Sequence, residues 1–168
     1  MQKFGIGQPA TRVEDVRLTT GHGCYIDDVN KDDQTYAVFV RSPHAHAKII
    51  AIDTQEALTL PGVLAIYTVE DLKADSIGNV PCLAPVQNAD GSSCVMPPRP
   101  ALAEERVRHV GDAVAMVVAE TRPQAQDAAD QVWVEYESLP AVVGTDQAMH
   151  ANAPQVWNQV AQNRCFDW

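Results

Sequence analysis

The stretch VAMVVAETRPQAQDAADQVWVEY, residues 114–136, decides the fold, because a strand, a helix and a second strand can be read from it in order. VAMVVA (114–119) is a continuous apolar run, which is typical of a strand buried on both faces. VWVEY (132–136) is rich in β-branched and aromatic residues and is ended by Leu139-Pro140. The stretch therefore predicts a strand–helix–strand unit.

The helix between these strands carries a start signal and a narrow apolar face. Thr121 can cap it, Gln124 stands three residues later as the capping-box partner, and Pro123 falls in the first turn. A missing N–H has no cost at that position. Small apolar residues recur at the i, i+3, i+4, i+7 spacing, namely Ala125, Ala128, Ala129 and Val132. We expect this helix to lie close on a sheet.

A second unit with the same order of elements precedes the first. AKIIAI (47–52) and VLAIYT (63–68) predict strands, and a short helix begins between them at Asp53 or Thr54 and ends before Pro61. The identity between the two units is too low to indicate a repeat. Together the units predict an α+β (mixed) fold with two strand–helix–strand units around 47–68 and 114–136.

Three further segments complete the expected organisation. Residues 35–41 (TYAVFVR) predict a strand ended by Ser42-Pro43, and Thr68 with Asp71 can cap a turn of helix. Residues 75–100 hold five prolines and two glycines and predict a long loop. We expect the strands on either side of this loop to belong to one sheet system.

Two glycine patterns near the N-terminus imitate nucleotide-binding motifs. Gly5-x-Gly7-x-x-Ala10 resembles a dinucleotide fingerprint, but no strand precedes it and no helical stripe follows it. Gly21-x-Gly23 lacks a following helix as well. We interpret both as turns in a polar, mostly irregular arm.

The acidic pattern Asp28-x-Asn30-x-Asp32 resembles the start of a calcium-binding loop. Such a loop needs Gly at its sixth position and a bidentate Glu at its twelfth. Asp33 and Phe39 occupy those positions, so a solvated acidic turn is expected instead.

The segment His44-x-His46 places two imidazoles on one side of an extended chain, where they can chelate a metal. The sequence nominates no third ligand, and the other histidines (His22, His109 and His150) are isolated. We expect His44 and His46 to be structural, hydrogen-bonding residues, and any role beyond that stays open.

Composition excludes several classes of function. The net charge is −10, from 12 basic and 22 acidic side chains, which argues against binding nucleic acid or an anionic membrane surface. No apolar run approaches the ~20 residues of a membrane span, and the N-terminus lacks a signal peptide. The four cysteines form no C-x-x-C pair and are expected to be reduced thiols, which indicates a cytoplasmic protein.

The residues indicate no catalytic constellation. There is no Gly-x-Ser-x-Gly elbow and no Cys or Ser visibly paired with a His. The acidic pairs Asp27-Asp28 and Glu104-Glu105 are expected to be solvated charges. We therefore assign no catalytic, cofactor-binding or metal-binding residue. The aromatic end NRCFDW (163–168) suggests a polypeptide cut where a new folded segment begins.

Taken as a whole, the sequence resembles the N-terminal segment of the large, molybdenum-carrying subunits of the xanthine dehydrogenase / aldehyde oxidase / CO dehydrogenase family. The resemblance lies in five stretches that run in family order, namely RVEDVRLTTGHGCYIDD (12–28), VRSPHAHAKIIAID (40–53), ALTLPGVLAIYTVEDL (57–72), residues 101–142 and NRCFDW (163–168). It implies an α/β-hammerhead domain at 36–145, preceded by an N-terminal arm at 1–35. Residues 146–168 are then a linker toward a missing molybdopterin-binding domain.

The resemblance also implies a function for the longer protein. Family members are oxidoreductases that hydroxylate aldehydes or N-heterocycles, or oxidise CO, with water-derived oxygen. Their downstream domains hold a molybdopterin (cytosine dinucleotide) molybdenum cofactor and supply the glutamate base. Electrons leave through iron–sulfur clusters and FAD on partner subunits or domains. The segment itself is expected to be a scaffold that binds no cofactor and is inactive alone.

Two other interpretations stay open. A stand-alone protein-interaction or small-ligand module would end at Trp168 and lack exposed apolar patches, which a scaffold domain should show. A lipoyl or biotinyl carrier would need a lysine at an exposed hairpin tip. Lys48 falls within a predicted strand, and Lys31 lacks the expected neighbours.

Overall fold

The computed structural model describes residue 7 and residues 11–168. The chain divides into two compact units, Met1–Gln34 and Thr35–Trp168. Gly5 and Ala10 of the first glycine pattern lie outside the described residues.

The described part of the first unit contains a short helix that the sequence did not predict. Helix α1 (Asp15–Thr19) ends at Gly21, whose φ of 75° is the left-handed conformation that glycine adopts without strain. The Gly21 N–H donates to the Leu18 carbonyl and the His22 N–H to the Arg17 carbonyl, which is a Schellman motif. The second glycine pattern therefore terminates a helix. A 3₁₀ turn follows at Ile26–Asp28.

The second unit contains six strands and four helices, of which the sequence predicts five strands and three helices in the same order. The strands are β1 (Tyr36–Arg41), β2 (Ala47–Asp53), β3 (Val63–Tyr67), β4 (Arg106–Val107), β5 (Ala113–Ala119) and β6 (Trp133–Ser138). The helices are α2 (Gln55–Leu58), α3 (Val69–Ala74), α4 (Arg122–Gln131) and α5 (Thr145–Ala148), with a 3₁₀ turn at Ala161–Asn163. The five predicted strands are confirmed to within two residues at each end. Strand β4 is additional.

The strands form two antiparallel sheets of three strands each, in the orders β1-β5-β3 and β4-β2-β6. We expected the strands on either side of the long loop to belong to one sheet system, and this expectation was wrong because two separate sheets form. Both edges of β5 are already paired, so β6 cannot return to it and pairs with β2 instead. Each strand–helix–strand unit therefore crosses from one sheet to the other. Each sheet also combines strands from before and after the long loop.

Helix α4 lies on the first sheet through the small residues that the spacing singled out. Ala125 and Ala128 are fully buried, and Ala128 belongs to one cluster with Val117 of β5 and Ile66 of β3. Short side chains permit this close approach of helix and sheet. The predicted cap is confirmed, because Thr121 Oγ1 accepts a hydrogen bond from the Gln124 backbone N–H at 3.4 Å.

A second predicted cap begins α3. The Thr68 N–H donates to Asp71 Oδ2 at 2.6 Å, and the Thr68 hydroxyl donates to the same oxygen at 2.9 Å. These hydrogen bonds stabilise the carboxylate and lower the pKa of Asp71. Helix α3 thus begins with both halves of a capping box.

The long loop and the C-terminal segment are tied to each other. The Val95 N–H donates to the Cys165 carbonyl at 2.8 Å, and the Ala89 N–H donates to the Asp167 carbonyl at 2.9 Å. The Asn163 side-chain amide donates to the carbonyls of Ala148 and Pro154 at 2.9 and 3.0 Å. The segment after α5 therefore makes defined contacts within the second unit.

Candidate functional site

The first sheet has an apolar face that stays exposed. Because side chains alternate along a strand, the residues between the core-facing ones point away from α4. Phe39 of β1 lies opposite Met116 of β5, and Met116 lies opposite Tyr67 of β3. Phe39 is 42% exposed and Tyr67 is 37% exposed. We define the outer face as the residues Ala37, Phe39, Ala65, Tyr67, Met116 and Val118.

The equivalent face of the second sheet carries several charged side chains beside one exposed aromatic residue, Trp133, and serves as an internal comparison. Lys48 of β2 lies opposite Glu137 of β6, and their side chains form an ion pair at 2.9 Å. Ala51 lies opposite Glu135. Charged side chains of this kind keep a sheet face solvated, whereas none of the six outer-face residues carries a charge. The outer face is therefore the candidate docking surface of this chain.

One edge of the outer face carries a positive charge. The Arg41 guanidinium carbon lies 5.5 Å from the centroid of the Phe39 ring, and Arg41 Nη1 donates to the Gly111 carbonyl at 2.8 Å. The cation is thus held beside the aromatic ring at the end of β1. On the opposite edge strand, Leu64 lies at a bulge and is 52% exposed, which extends the apolar surface.

His46 links the start of β2 to the segment after β6. Its side chain is buried, and its Nδ1 lies 2.9 Å from the Pro140 carbonyl, to which it donates. The Leu139 N–H donates to the His46 carbonyl at 2.9 Å. His46 Nε2 is buried without a hydrogen-bond partner among the described residues. These contacts support a structural role.

His44 has different neighbours. Its ring centroid lies 4.9 Å from that of Tyr136, and its backbone N–H donates to Ser42 Oγ at 3.0 Å. Burial raises the pKa of the Tyr136 hydroxyl, although a hydrogen bond with Ser42 acts in the opposite direction. Within residues 11–168, no three His, Cys, Asp or Glu side chains are placed to hold a metal ion.

The other residues that the sequence singled out make local contacts. Asp28 of the calcium-like pattern accepts the Tyr25 backbone N–H at 2.8 Å. Lys48 lies within strand β2 as expected, so it does not lie at a hairpin tip as the carrier interpretation requires. Glu104 is not simply solvated, because its carboxylate forms an ion pair with Lys73 at 2.6 Å.

Sequence reasoning missed both the outer face and a cleft beside Arg108 and Trp157. The alternation in YAVFVR (36–41) was visible, but it does not tell which face of a strand a helix will cover. None of the described helices has the length and apolar content needed to cross a bilayer.

Comparison with known proteins gives a consistent set of similarities. A family model described as "Aldehyde oxidase and xanthine dehydrogenase, a/b hammerhead domain" matches residues 20–140. The carbon monoxide dehydrogenase large chain of Afipia carboxidovorans is 43% identical over 150 residues, which cover 89% of this chain and 17% of that protein. The nicotine 6-hydroxylase large subunit of Paenarthrobacter nicotinovorans is 44% identical over 138 residues, covering 82% of this chain and 16% of that protein.

Solved structures show the same relationship in three dimensions. The quinoline 2-oxidoreductase of Pseudomonas putida 86 superposes with a TM-score of 0.73 at 37% sequence identity. The match covers 90% of this chain and 19% of that one. The chain thus spans less than a fifth of the length of these relatives.

Proposed function

Because the chain belongs to the aldehyde oxidase and xanthine dehydrogenase a/b hammerhead family, we propose that it is a non-catalytic scaffold domain of a molybdenum hydroxylase large subunit. The whole subunit would be an oxidoreductase that hydroxylates aldehydes or N-heterocycles, or oxidises CO. The relatives' names include all three kinds of chemistry, for example an aldehyde oxidase of Oryctolagus cuniculus.

The outer face is the observation that carries this proposal. A row of Phe39, Met116 and Tyr67 leaves apolar surface in water, although burying a side chain of this size contributes about 1.5–3 kcal/mol. Exposed patches of contiguous apolar residues mark interaction surfaces. We assign this surface to the larger remainder of the subunit, because the relatives are about six times as long as the segment that they share with this chain.

The proposed division of the chain follows from that role. Residues 1–35 are an N-terminal arm, 36–145 form the hammerhead domain, and 146–168 lead toward a molybdopterin-binding domain. The contacts of Asn163 with Ala148 and Pro154 would order this linker internally, and the hydrogen bond from the Val95 N–H to the Cys165 carbonyl would hold its end against the hammerhead domain.

We propose that the molybdenum cofactor is bound by the rest of the subunit. One relative is named a xanthine dehydrogenase molybdenum-binding subunit, from Escherichia coli. We propose that this chain itself contributes no residue that binds the cofactor. We propose that the cofactor is the cytosine dinucleotide form, and that iron–sulfur clusters and FAD lie on partner subunits or domains. The assembled enzyme would be cytoplasmic.

The alternative is a stand-alone interaction or small-ligand module with the same fold. Such a module should lack uncovered apolar patches, and the exposed rings of Phe39 and Tyr67 count against it. The shares of 17% and 16% of the curated relatives also favour a part of a larger protein.

The experiment begins with the source gene beyond the codon for Trp168. The scaffold proposal expects the frame to continue for several hundred residues, and the segment encoded there, expressed separately, should bind this chain in a one-to-one complex. A stop codon directly after Trp168, with no gene nearby that encodes the missing domains, would refute the proposal in favour of the stand-alone module.

A further inference from the structure

A cleft in the second unit presents a guanidinium group that has no carboxylate partner. The cleft has a volume of about 390 Å³ and is lined by Pro98, Pro100, Val156 and Trp157 on its apolar side. Arg108 lies across it, with its guanidinium carbon 3.5 Å from the centroid of the Trp157 ring. Stacking of this kind fixes the plane of the guanidinium and leaves its edges free to donate.

Both hydrogen bonds of this guanidinium end on backbone carbonyls. Arg108 Nε donates to the Val156 carbonyl at 3.3 Å, and Nη1 donates to the Arg106 carbonyl at 3.0 Å. A guanidinium has five N–H groups, so three of them find no acceptor among the described residues. The two carbonyls orient the group but do not neutralise its charge.

The nearby acid Asp112 is engaged elsewhere. Its Oδ2 accepts the backbone N–H of Arg108 at 2.9 Å and lies 3.7 Å from His109 Nδ1. Burial lowers the pKa of Arg108, and the charge of Asp112 acts in the opposite direction. The guanidinium stays protonated in spite of this, since arginine does not lose its proton in proteins. A half-buried charge without a directly bonded counter-ion is therefore stabilised by an anion.

Two adjoining clefts share Arg108 and Trp157 and differ in the charge of their other lining residues. Arg99 and His109 also line the cleft described above, and Asp112 is its one acidic lining residue in the described chain. The adjoining cleft, of about 250 Å³, is lined by Glu104, Glu105 and Arg106 beside the shared Arg108. An anion is thus favoured in the cleft of Arg99, although the chain carries a net charge of −10.

We propose that the cleft of Arg99, Arg108 and His109 binds a small oxyanion, a carboxylate or a phosphate, attached to a flat apolar body. Arg108 donates to the oxyanion from its unused N–H groups, in the bidentate geometry that a guanidinium fork permits. Trp157 and the prolines contact the apolar body, while Arg99 adds positive charge at the rim and His109 a ring N–H donor. This inference does not depend on the proposed scaffold function.

The test is a calorimetric titration of the chain at constant ionic strength with three probes: sodium benzoate, phenyl phosphate and inorganic phosphate. We expect saturable binding of at least one probe, with an affinity at least tenfold lower in Arg108→Gln. Arg17→Gln, an exposed arginine of the first unit, is the matched control and should bind as the parent does. Benzoate binding alone would identify a carboxylate ligand, and binding of the phosphates alone a phosphate ligand.

Two further variants cover the case in which Arg108→Gln fails to fold. Arg108→Lys keeps the charge but loses the fork, and Arg99→Gln leaves the stack untouched, so both should weaken binding several-fold with an unchanged circular dichroism spectrum. The proposal is overturned if no probe saturates, or if the folded Arg108 and Arg99 variants bind as tightly as Arg17→Gln.

Discussion

Phe39 and Tyr67 lie on opposite edge strands of one sheet, each directly across from Met116, and both rings are exposed. The opposite face of the same strands is packed against α4 through Val38, Val117 and Ile66. One sheet therefore has one face in the core and one uncharged apolar face in solvent, whereas the outward face of the second sheet combines the Lys48–Glu137 ion pair with the exposed Trp133. This difference between the two sheets supports the proposal that the outer face docks on the remainder of a larger subunit.

Gly62 should not tolerate a side chain. Its φ is 79°, and an added Cβ would collide with the side chain of Gln124 at the start of α4. Gly62→Ala is expected to lower the free energy of unfolding by about 1–2 kcal/mol, measured by urea denaturation. Gly78→Ala is the control, because an added Cβ there has no neighbour within 4 Å. Equal stability of the two variants would contradict this account of the turn.

The close approach of α4 to the first sheet depends on small side chains. Ala128→Leu is expected to destabilise the chain by about 1–3 kcal/mol, because a fully buried position in the core would be overpacked. Gln126→Leu, on the exposed side of the same helix, should change the stability by less than about 0.5 kcal/mol. Thermal unfolding measures the stability of both variants. An Ala128→Leu variant as stable as the parent would argue against tight packing of α4 on the sheet.

The cap of α3 should make part of the stability depend on pH. The folded-state pKa of Asp71 lies below its unfolded value of 3.8, so the carboxylate contributes stability that is present above about pH 4 and is lost as the pH falls through the folded pKa. The gap in stability between the parent and Asp71→Ala is therefore expected to be larger at pH 7 than at pH 3. Urea denaturation at both pH values measures it, and a gap that does not shrink in acid would count against the cap.

The two histidines of the SPHAH segment should differ in importance. His46→Ala removes a buried ring and leaves the Pro140 carbonyl without its donor, which is expected to cost about 2 kcal/mol. His44→Ala should cost less, because His44 is only partly buried. Denaturation with and without a chelator compares the free energies of unfolding of the two variants with that of the parent. Equal losses that disappear with the chelator would indicate a shared metal instead.

Local signals in the sequence were sufficient to place most elements of the second unit. The caps at Thr121 and Thr68 use side chains only three residues away, so they could be predicted from short patterns. The assignment of strands to two sheets could not be predicted, because paired residues of β2 and β6 lie 80 to 91 positions apart and nothing local to either strand specifies the partner. Strand β4 is two residues long and exists only through its pairing with β2.

The candidate sites were harder to predict for the same reason. The stacking of Arg108 on Trp157 joins residues that are far apart in sequence, and neither residue belongs to a motif. The apolar alternation of YAVFVR (36–41) indicated a strand, but the exposure of Phe39 depends on where α4 and β5 lie. Tertiary contacts, which single-sequence patterns do not encode, decided both features.

The most direct test of the scaffold account is the binding of this chain to the separately expressed remainder of its subunit, measured by isothermal titration. Phe39→Asp places a charge on the outer face and is expected to weaken binding by at least tenfold. Trp133→Asp, at an exposed aromatic of the second sheet, should bind as the parent does. Equal affinities of the two variants, or a loss confined to Trp133→Asp, would contradict the claim that the outer face is the docking surface.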